Sequence, residues 1–500
     1  MKLRTRTISL TAGGKFISII NIEDARELGV KPLDRVVLTK GRKKITTVVN
    51  VTREFVKQGQ IAIYDEVKKF MNLRSGDFVH VEPREELISK KYIRKKIDGG
   101  ELDYKELKEI VDDVLKRNLN DLELASFITA IHIHGFTLNE SIAMSKAMIQ
   151  TSKKIKFPGI VVDKHSIGGV PGDKTSMLLV PIIAASGLTI PKTSSRSITS
   201  PAGTADRMEI LAPVDLNINE IKRVVKKCGG CLVWGGAVDL APADDLFIQI
   251  EHPLSLDPLL LPSVMSKKKA VGSKYVVIDI PVGSEAKIKS MSMAEKLAKD
   301  FIMLGKELDM IVDCGITHGD QPIGYAMGPA LEAREALETI MNRKYTSDLI
   351  DKVTSLAGLL FNMTKKGDKE TALKILKSGK AEKKLRDIIA AQGGDENIQP
   401  EDIPYAKYRY TMRAKNDGIV ASISNATLAN ICFVAGTPKD KYAGILLHKK
   451  IEDRVKKNDP LLTIFAEKRQ KLRTAIKIAK KSDIFSFFDH KKKRMLIERI

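Results

Sequence analysis

The sequence predicts a multidomain α/β protein. A helical lobe and an α/β lobe are preceded by a β-rich, barrel-like N-terminal domain and followed by an α+β C-terminal domain. The length of 500 residues requires several domains at the usual size of about 100–200 residues each. The spacing of apolar residues changes near residues 85, 160 and 400, and between 160 and 400 strand-like runs alternate with helical ones. We expect domains at 1–84, 85–160, 161–400 and 405–500, with a part near 245–270 returning to the helical lobe.

Composition excludes several classes of protein. Hydrophobic residues make up 43% and charged residues 29% of the chain, which is typical of a folded globular protein. Four cysteines are too few for a small disulfide scaffold. The N-terminus, MKLRTR, lacks the apolar run of a signal peptide, and the longest apolar stretch, 177–190, is interrupted by Pro181 and Gly187. We expect a cytoplasmic protein with no membrane partner.

The chain carries a large positive charge. Lys and Arg number 84 and Asp and Glu 62, which leaves a net charge of +22 and favours anionic partners. Both nucleic acid and small phosphorylated substrates fit such a surplus. The basic clusters at 40–44, 90–96 and 491–494 are scattered, and aromatic residues are only 5% of the chain. These features argue against nucleic-acid binding as the main activity, and RNA binding through the N-terminal domain stays an alternative.

The first 84 residues contain an internal similarity between 30–38 and 73–81. Both stretches place an apolar residue, a basic residue, a turn and an Asp, Asp34 or Asp77, before a strand. This similarity predicts a duplicated β unit and a small closed barrel that serves assembly. The strands expected here are 15–21, 35–39, 45–51, 60–64 and 77–82.

The rest of the chain alternates in type. Helical spacing predicts helices at 104–116, 121–134 and 139–151. Beyond them, we expect buried strands at 159–163, 188–191 and 275–281, with a helix at 177–186 between the first two. Short strands and a basic helix at 469–481 predict the C-terminal α+β domain.

The first loop with chemical potential covers residues 163–176, between a strand and a helix. Gly168 and Gly169 allow close approach of the backbone to an anion, and the following helix N-terminus offers unpaired N–H groups. Cationic and hydroxyl donors lie on either side of the glycines: Lys164, Ser166, Lys174 and Ser176. Such a loop binds phosphate or is only a tight turn, and the sequence leaves both open.

The second loop covers residues 192–209 and is rich in hydroxyl groups. It follows the strand that ends at Pro191, and ligands bind at such strand ends. A solvated linker is the alternative. Two donor-rich loops predict two phosphate groups, or one phosphate and a polyol. The candidate residues of this loop are Ser194, Ser195, Arg196, Ser197, Ile198, Thr199, Ser200 and Thr204.

The order and spacing of these two loops resemble those of the thymidine and pyrimidine-nucleoside phosphorylase family. The matching segments are Lys-His-Ser-x-Gly-Gly at 164–169, Asp-x-Thr-Ser at 173–176, and Gly-Thr-x-Asp at 203–206. The closest resemblance is to the archaeal AMP phosphorylase branch, which carries an extra N-terminal domain. The resemblance implies the type II nucleoside phosphorylase fold and a homodimer or larger homo-oligomer. It implies orthophosphate as co-substrate, with no cofactor and no metal.

The resemblance also implies residue roles. Asp257 is expected to donate a proton to the departing base. The expected phosphate ligands are Lys164, Ser166, Lys174, Ser176, Ser194 and Thr204. The expected contacts to AMP are Gly168, Gly169, the residues from Ser194 to Ser200, Thr204, Ser263, Lys267 and Lys287.

Two departures from the pyrimidine enzymes bear on the substrate. The arginine that recognises the base in those enzymes has no counterpart at 250–257, and Pro171 is an insertion in the first loop. We therefore expect AMP and phosphate to give adenine and ribose 1,5-bisphosphate, with CMP and UMP left open. A pyrimidine or thymidine nucleoside phosphorylase, or a phosphoribosyltransferase of similar fold, is the alternative.

Two further expectations concern single residues. An Asp stays protonated near neutral pH only where burial or a neighbouring anion disfavours its charge, and the apolar residues around Asp257 predict burial. Cys228 and Cys231 have C-x-x-C spacing, but one pair cannot complete a four-ligand zinc site, so buried thiols are expected.

Overall fold

The computed structural model describes residues 1–84, 86–197, 200–237, 240–254 and 256–488. It divides into two compact units. The first is Met1–Ala147 with Ala243–Leu259, and the second is Met148–Pro242 with Leu260–Ile500. Within the described ranges, no helix combines the length and the apolar character needed to cross a membrane.

The N-terminal residues form a closed six-stranded barrel, which confirms the predicted barrel-like domain. The strand order around it is β1-β5-β2-β4-β3-β6. In chain order its elements are β1 (Lys2–Thr7), β2 (Ile17–Asn21), α1 (Ile22–Leu28), β3 (Arg35–Lys40), β4 (Lys43–Thr52), β5 (Gln60–Ile63), α2 (Asp65–Met71) and β6 (Phe78–Pro83). Strand β1, which the sequence analysis missed, alternates Lys, Leu, Arg and Thr, and it buries only Leu3 and Thr5.

The two halves of the barrel repeat each other, as the similarity of 30–38 and 73–81 predicts. In one half the Asp34 carboxylate accepts the Lys31 N–H at 2.7 Å, and in the other Asp77 accepts the Arg74 N–H at 2.8 Å. The strands that follow these turns, β3 and β6, pair antiparallel with Leu38 opposite Val81. The duplicated β unit is therefore confirmed.

Four helices follow the barrel, the first three within the first unit and the fourth divided between the two units at Ala147. They are α3 (Ile88–Ile97), α4 (Tyr104–Leu115), α5 (Asp121–His134) and α6 (Leu138–Thr151). Capping boxes at Asp103 and Asn120 fix the starts of α4 and α5, because each side chain accepts a backbone N–H of the first turn. Helix α3 was not predicted, because basic residues outnumber the apolar ones in it.

The α/β part of the second unit contains a five-stranded parallel sheet, which confirms the predicted sheet type. Hydrogen-bonded ladders join β8 to β9 and β7 to β10 to β11, and a parallel bridge between Val161 and Thr189 joins the two groups. The strand order is therefore β9-β8-β7-β10-β11. In chain order this stretch contains β7 (Val162–Ser166), α7 (Thr175–Ala185), β8 (Ile190–Ser194), α8 (Thr204–Met208), α9 (Ile218–Cys228), β9 (Gly230–Trp234), α10 (Pro242–Leu254), α11 (Leu260–Ala270), β10 (Tyr275–Val282), α12 (Met291–Glu307) and β11 (Ile311–His318). Of these elements, α10 from Ala243 onward belongs to the first unit.

The remaining chain adds helices around α7 and a C-terminal region of strands and two helices. Its antiparallel sheets have the orders β12-β15-β17-β13 and β16-β14-β18. The elements are β12 (Ala326–Met327), α13 (Pro329–Ile340), α14 (Ser347–Thr364), α15 (Lys369–Lys377), α16 (Lys380–Ala391), β13 (Tyr408–Arg413), β14 (Gly418–Ile423), α17 (Asn425–Ala435), β15 (Gly444–Leu447), β16 (Arg454–Val455), β17 (Pro460–Ala466), α18 (Arg469–Lys481) and β18 (Phe485–Phe487).

Candidate active site

The candidate site lies where the strand order of the parallel sheet reverses. From β7 the chain continues to β8 and β9 on one side and later to β10 and β11 on the other. Ligands of open α/β sheets bind at such a switch point, beyond the carboxyl ends of the strands. Ser166 and Ser194 each lie five residues beyond the bridge that joins Val161 to Thr189. The two loops singled out in the sequence therefore leave the same edge of the sheet.

The paired glycines of the first loop have the backbone conformation that glycine favours. The φ angles of Gly168 and Gly169 are 83° and 89°. A Cβ atom on Gly169 would lie 2.9 Å from the backbone nitrogen of Lys287, so only glycine allows this approach. The structure thus places Lys287 beside the first loop.

A buried carboxylate from β10 joins the predicted phosphate ligands. Asp279 Oδ2 accepts the Ser166 hydroxyl at 2.8 Å and lies 3.5 Å from Lys164 Nζ and 2.9 Å from Lys352 Nζ. Asp279 Oδ1 accepts the Thr317 hydroxyl at 2.7 Å. Two of the predicted ligands, Lys164 and Ser166, therefore converge on one carboxylate.

Asp163 on β7 organises a second group of lysines. Its Oδ2 is 2.7 Å from Lys268 Nζ, and its Oδ1 is 3.8 Å from Lys192 Nζ. Lys192 also donates to the Lys164 carbonyl at 2.8 Å. Neither Asp163, Lys192 nor Lys268 was among the residues that the sequence singled out.

The cluster beneath the first loop has more cations than anions. Its four buried lysines, Lys164, Lys192, Lys268 and Lys352, face three carboxylates: Asp163, Asp173 and Asp279.

The excess of positive charge in this cluster shifts the pKa values of several of its residues. Burial, and then the charges of Lys268 and Lys164, hold the pKa of Lys192 well below its usual value. Burial and neighbouring lysines likewise hold the pKa of His165 well below 6.5, so this side chain is neutral at pH 7. Burial disfavours the charged form of Asp173, but Lys164 and Lys352 outweigh it and lower the pKa of Asp173. An anion in this cluster would balance the charge.

Two predicted phosphate ligands, Lys174 and Ser176, lie at the N-terminus of α7 but have different surroundings. Ser176 lies in the first turn of α7, at the helix end that attracts anions. Lys174 is fully buried, with its ammonium 2.9 Å from Glu335 Oε2 and 2.7 Å from the Ile323 carbonyl. The structure therefore brings Lys174 to Glu335 and not to the cluster of Lys164.

Arg196 in the second loop is held by carboxylates. Its guanidinium lies 2.8 Å from Glu209, 3.4 Å from Asp206 and 3.4 Å from Asp215, and 5.1 Å from the ring centre of Trp234. The hydrogen bond from Arg196 lowers the pKa of Glu209 to about 2. This pairing sets the orientation of the guanidinium in the structure.

The rest of the second loop folds over the N-terminus of α8. Asp206 Oδ2 accepts the N–H groups of Ser197 at 2.7 Å and Gly203 at 2.8 Å. The Thr204 hydroxyl accepts from Arg207 at 3.3 Å, and the Ser194 hydroxyl donates to the Val233 carbonyl at 3.2 Å. The Ser200 hydroxyl donates to the Ala202 carbonyl at 2.9 Å, and Ser195 is exposed, whereas Ile198 and Thr199 lie outside the described residues.

The predicted base-recognition residues lie on α11. Ser263 and Lys267 are one helical turn apart, and both are partly exposed. Lys267 is one of the charges that lower the pKa of His165, which places it near the first loop.

Asp257 lies between α10 and α11, and its burial was wrongly predicted. The residue is exposed, although Leu259, two positions later, is fully buried. Leu256 and Pro258 are half-buried, and the aspartate between them is exposed. Apolar sequence neighbours therefore do not bury this aspartate.

The two cysteines of the C-x-x-C pair are buried free thiols. Cys228 ends α9, and Cys231 lies in β9. Burial raises the pKa of both thiols, which disfavours the reactive thiolate. Across the described ranges, no group of three or more His, Cys, Asp or Glu side chains is placed to hold a metal ion.

Known proteins match the chain over its whole length. The α/β domain of the glycosyl transferase family matches residues 158–382, and the helical bundle domain of that family matches residues 90–152. The pyrimidine nucleoside phosphorylase C-terminal domain matches residues 419–484. AMP phosphorylase from Thermofilum pendens is 44% identical over 502 residues, which cover 100% of this chain and 98% of that protein. AMP phosphorylase 1 from Archaeoglobus fulgidus is 47% identical over 93% of this chain and 94% of that protein.

The chain belongs to the AMP phosphorylase family.

Membership of the AMP phosphorylase family agrees with the helical, α/β and C-terminal parts of the predicted fold. Among solved structures, anthranilate phosphoribosyltransferase from Thermus thermophilus aligns with a TM-score of 0.48 and 19% identity, covering 60% of this chain and 99% of that chain. The family resemblance predicted from the two loops is confirmed.

In this AMP phosphorylase family member, sequence reasoning missed the buried charges that support the first loop. Asp163, Lys192 and Asp279 lie in the buried parts of strands, and of the three only Asp279 has apolar residues, Ile278 and Ile280, on both sides. A charged residue within a buried strand is rare unless it is paired, so these positions carried a usable signal. Lys268 and Lys352 lie in helices, and their sequence surroundings gave no such signal.

Proposed function

We propose that this protein is an AMP phosphorylase, which converts AMP and orthophosphate to adenine and ribose 1,5-bisphosphate. The observation that carries the proposal is the lysine-rich cluster at the switch point of the sheet. It combines four buried lysines with three carboxylates, beside a loop with paired glycines and a helix N-terminus. This cluster fits a phosphate anion. The full-length similarity to AMP phosphorylases supports AMP as the nucleotide.

Orthophosphate is proposed to bind at the first loop and the adjoining strand end. Lys164 supplies charge and Ser166, Ser176, Ser194 and Thr204 supply hydroxyl groups, while Lys174 holds the loop through Glu335. One phosphate oxygen attacks C1′ of the ribose as the C1′–N bond to adenine breaks. The cationic cluster offsets the repulsion between the two phosphate groups, and holding them in place replaces a collision of free reactants.

The nucleotide is proposed to bind along the second loop and α11. Its contacts are Gly168, Gly169, the loop from Ser194 to Ser200, Ser263, Lys267 and Lys287. Adenine leaves with the electron pair of the broken bond, and Asp257 is proposed to supply the proton that makes it a stable neutral base. The reaction needs no cofactor beyond the co-substrate orthophosphate. We also propose a homodimer or larger homo-oligomer.

Release of free base tests the substrate directly. The protein is incubated with orthophosphate and with AMP, CMP, UMP, adenosine or thymidine, and free base is measured by chromatography. We expect adenine from AMP, and only with phosphate present. Release from adenosine or thymidine but not from AMP would contradict the proposal and favour a nucleoside phosphorylase.

A further inference from the structure

The Asp279 carboxylate engages the side chains that the proposed reaction needs for phosphate. Asp279 is fully buried, and its Oδ2 atom accepts the Ser166 hydroxyl at 2.8 Å and lies 3.5 Å from Lys164 Nζ. In a buried environment an unneutralised carboxylate would hold the lysine strongly and repel an incoming phosphate. A second cation beside Asp279 would relieve both effects.

Lys352 of α14 supplies that second cation. Its Nζ lies 2.9 Å from Asp279 Oδ2, the same oxygen that accepts from Ser166, and the residue is buried. Lys164 is farther from its own carboxylates, at 3.5 Å from Asp279 and 3.8 Å from Asp173. Asp279 is therefore paired more closely with Lys352 than with Lys164.

The carboxylate cannot easily turn away from this arrangement. Its other oxygen accepts the Thr317 hydroxyl at 2.7 Å, which holds the plane of the group. With Asp279 fixed, a change in the charge of Lys352 acts through this carboxylate on Lys164 and Ser166.

We propose that Lys352 is a positioning residue for the phosphate site: by neutralising Asp279, it leaves the Lys164 ammonium and the Ser166 hydroxyl available to orthophosphate. This inference rests on the proposed function for its reaction, but phosphate binding can be measured without turnover. A lysine that only stabilised the fold would affect both substrates alike. Lys352 is expected to affect phosphate selectively.

The test compares Lys352→Met and Lys352→Arg with Lys369→Met. Lys369 forms a surface ion pair with Asp351, and Asp351 lies next to Lys352 on α14. Lys369→Met therefore serves as the matched control. For Lys352→Met we expect the KM for phosphate to rise at least tenfold while the KM for AMP changes less than threefold. The phosphate-dependent rise in Tm, measured without AMP, should shrink in parallel. Lys352→Arg should recover most of both effects, and Lys369→Met should match the wild type.

A double variant tests whether Lys352 acts by neutralising Asp279. The double variant Lys352→Met with Asp279→Asn removes one charge of each sign, so it should bind phosphate more tightly than Lys352→Met alone. Equal rises in both KM values, or no gain in the double variant, would overturn the inference. If the wild type shows the phosphate-dependent rise in Tm but releases no adenine from AMP, the proposed function fails while the role of Lys352 in phosphate binding stands.

Discussion

Two lysines of the first loop, ten residues apart, have different partners. Lys164 lies 3.5 Å from Asp279 and 3.8 Å from Asp173, in the cluster beneath the first loop. Lys174 is fully buried against Glu335 and the Ile323 carbonyl. Between them Gly172 has a φ of 75°, and a Cβ there would lie 2.7 Å from the Ile323 oxygen. That close turn directs Lys174 into the interior, so a cation in a glycine-rich loop is not by itself a ligand of phosphate.

Replacing Lys174 should destabilise the fold in a pH-dependent way. Lys174→Met removes one of the two ammonium groups that lie 2.9 Å from Glu335, the other being that of Lys344, and should cost about 1.5–3 kcal/mol at pH 7. Burial raises the pKa of Glu335, but Lys174 and Lys344 outweigh it and lower the pKa from 4.5 to about 2. The ionised form is thus favoured in the folded state, and its contribution is complete above pH 4.5 and lost as pH falls toward 2.

Urea unfolding between pH 7 and pH 3 measures this prediction. The difference in unfolding free energy between the wild type and Lys174→Met should be largest at pH 7 and should shrink below pH 4.5. Lys369→Met, at a surface ion pair, should change stability by less than about 1 kcal/mol at any pH. A difference that stays constant down to pH 3 would contradict the role assigned to Glu335.

Asp257→Asn should lower turnover while leaving AMP binding nearly unchanged. An amide cannot donate the proton that adenine needs on leaving, and loss of a general acid typically costs about 10²–10⁴-fold in rate. We expect kcat to fall by that order and the KM for AMP to change less than threefold. A 4-nitrophenyl riboside 5-phosphate serves as control, because its leaving group needs no proton. Unchanged turnover of AMP would exclude Asp257 as the acid.

At the scale of elements, the barrel shows how one turn is built twice with different residues. Both turns use an Asp carboxylate to accept the N–H three residues earlier, at 2.7 Å for Asp34 and 2.8 Å for Asp77. The residue before each Asp has a positive φ, 72° at Leu33 and 96° at Gly76. A leucine in this region is strained, whereas glycine is not. Leu33 is also 73% exposed, so it gains little from packing.

Leu33→Gly should therefore stabilise the barrel, and Gly76→Leu should destabilise it. Relief of the left-handed strain is worth about 1 kcal/mol, reduced by the greater freedom of glycine in the unfolded chain. Hydrogen exchange of barrel peptides in the full-length protein measures both variants. We expect slower exchange for Leu33→Gly and faster exchange for Gly76→Leu. Faster exchange in both would show that Leu33 makes a contact that outweighs its strain.

Local patterns predicted the elements better than the long-range contacts. Helix α5 was predicted with its observed bounds, because a capping box begins it and Gly135 follows it. Strand β8 was predicted to end at Pro191, because proline often ends a strand. It spans Ile190–Ser194 and continues beyond the proline. Lys352 and Lys268 reach the site from distant helices, and no local pattern marks such pairings.

At the scale of the whole molecule, the positive surplus lies outside the catalytic lobes. Residues 1–84 contain 17 basic and 9 acidic residues, and residues 405–500 contain 23 and 9. Residues 85–404 contain 44 of each and are formally neutral. The expectation that the net charge serves the phosphate groups of the substrates is therefore not supported by its distribution. Binding of the two anions depends on the local lysine cluster.

Reversing charges on α18 should consequently leave catalysis intact. Arg473 and Lys477 are exposed on this helix, one turn apart. In the variant Arg473→Glu with Lys477→Glu, kcat/KM for AMP should stay within about twofold of the wild type at both low and physiological salt, because the buried lysine cluster and not the exposed charges holds the substrates. At physiological salt, exposed charges are in addition screened beyond about 8 Å. Lys164→Met is the contrasting variant and should lose nearly all activity. A tenfold loss for the α18 variant at low salt, recovered at high salt, would instead show that the terminal surplus steers the substrates to the site.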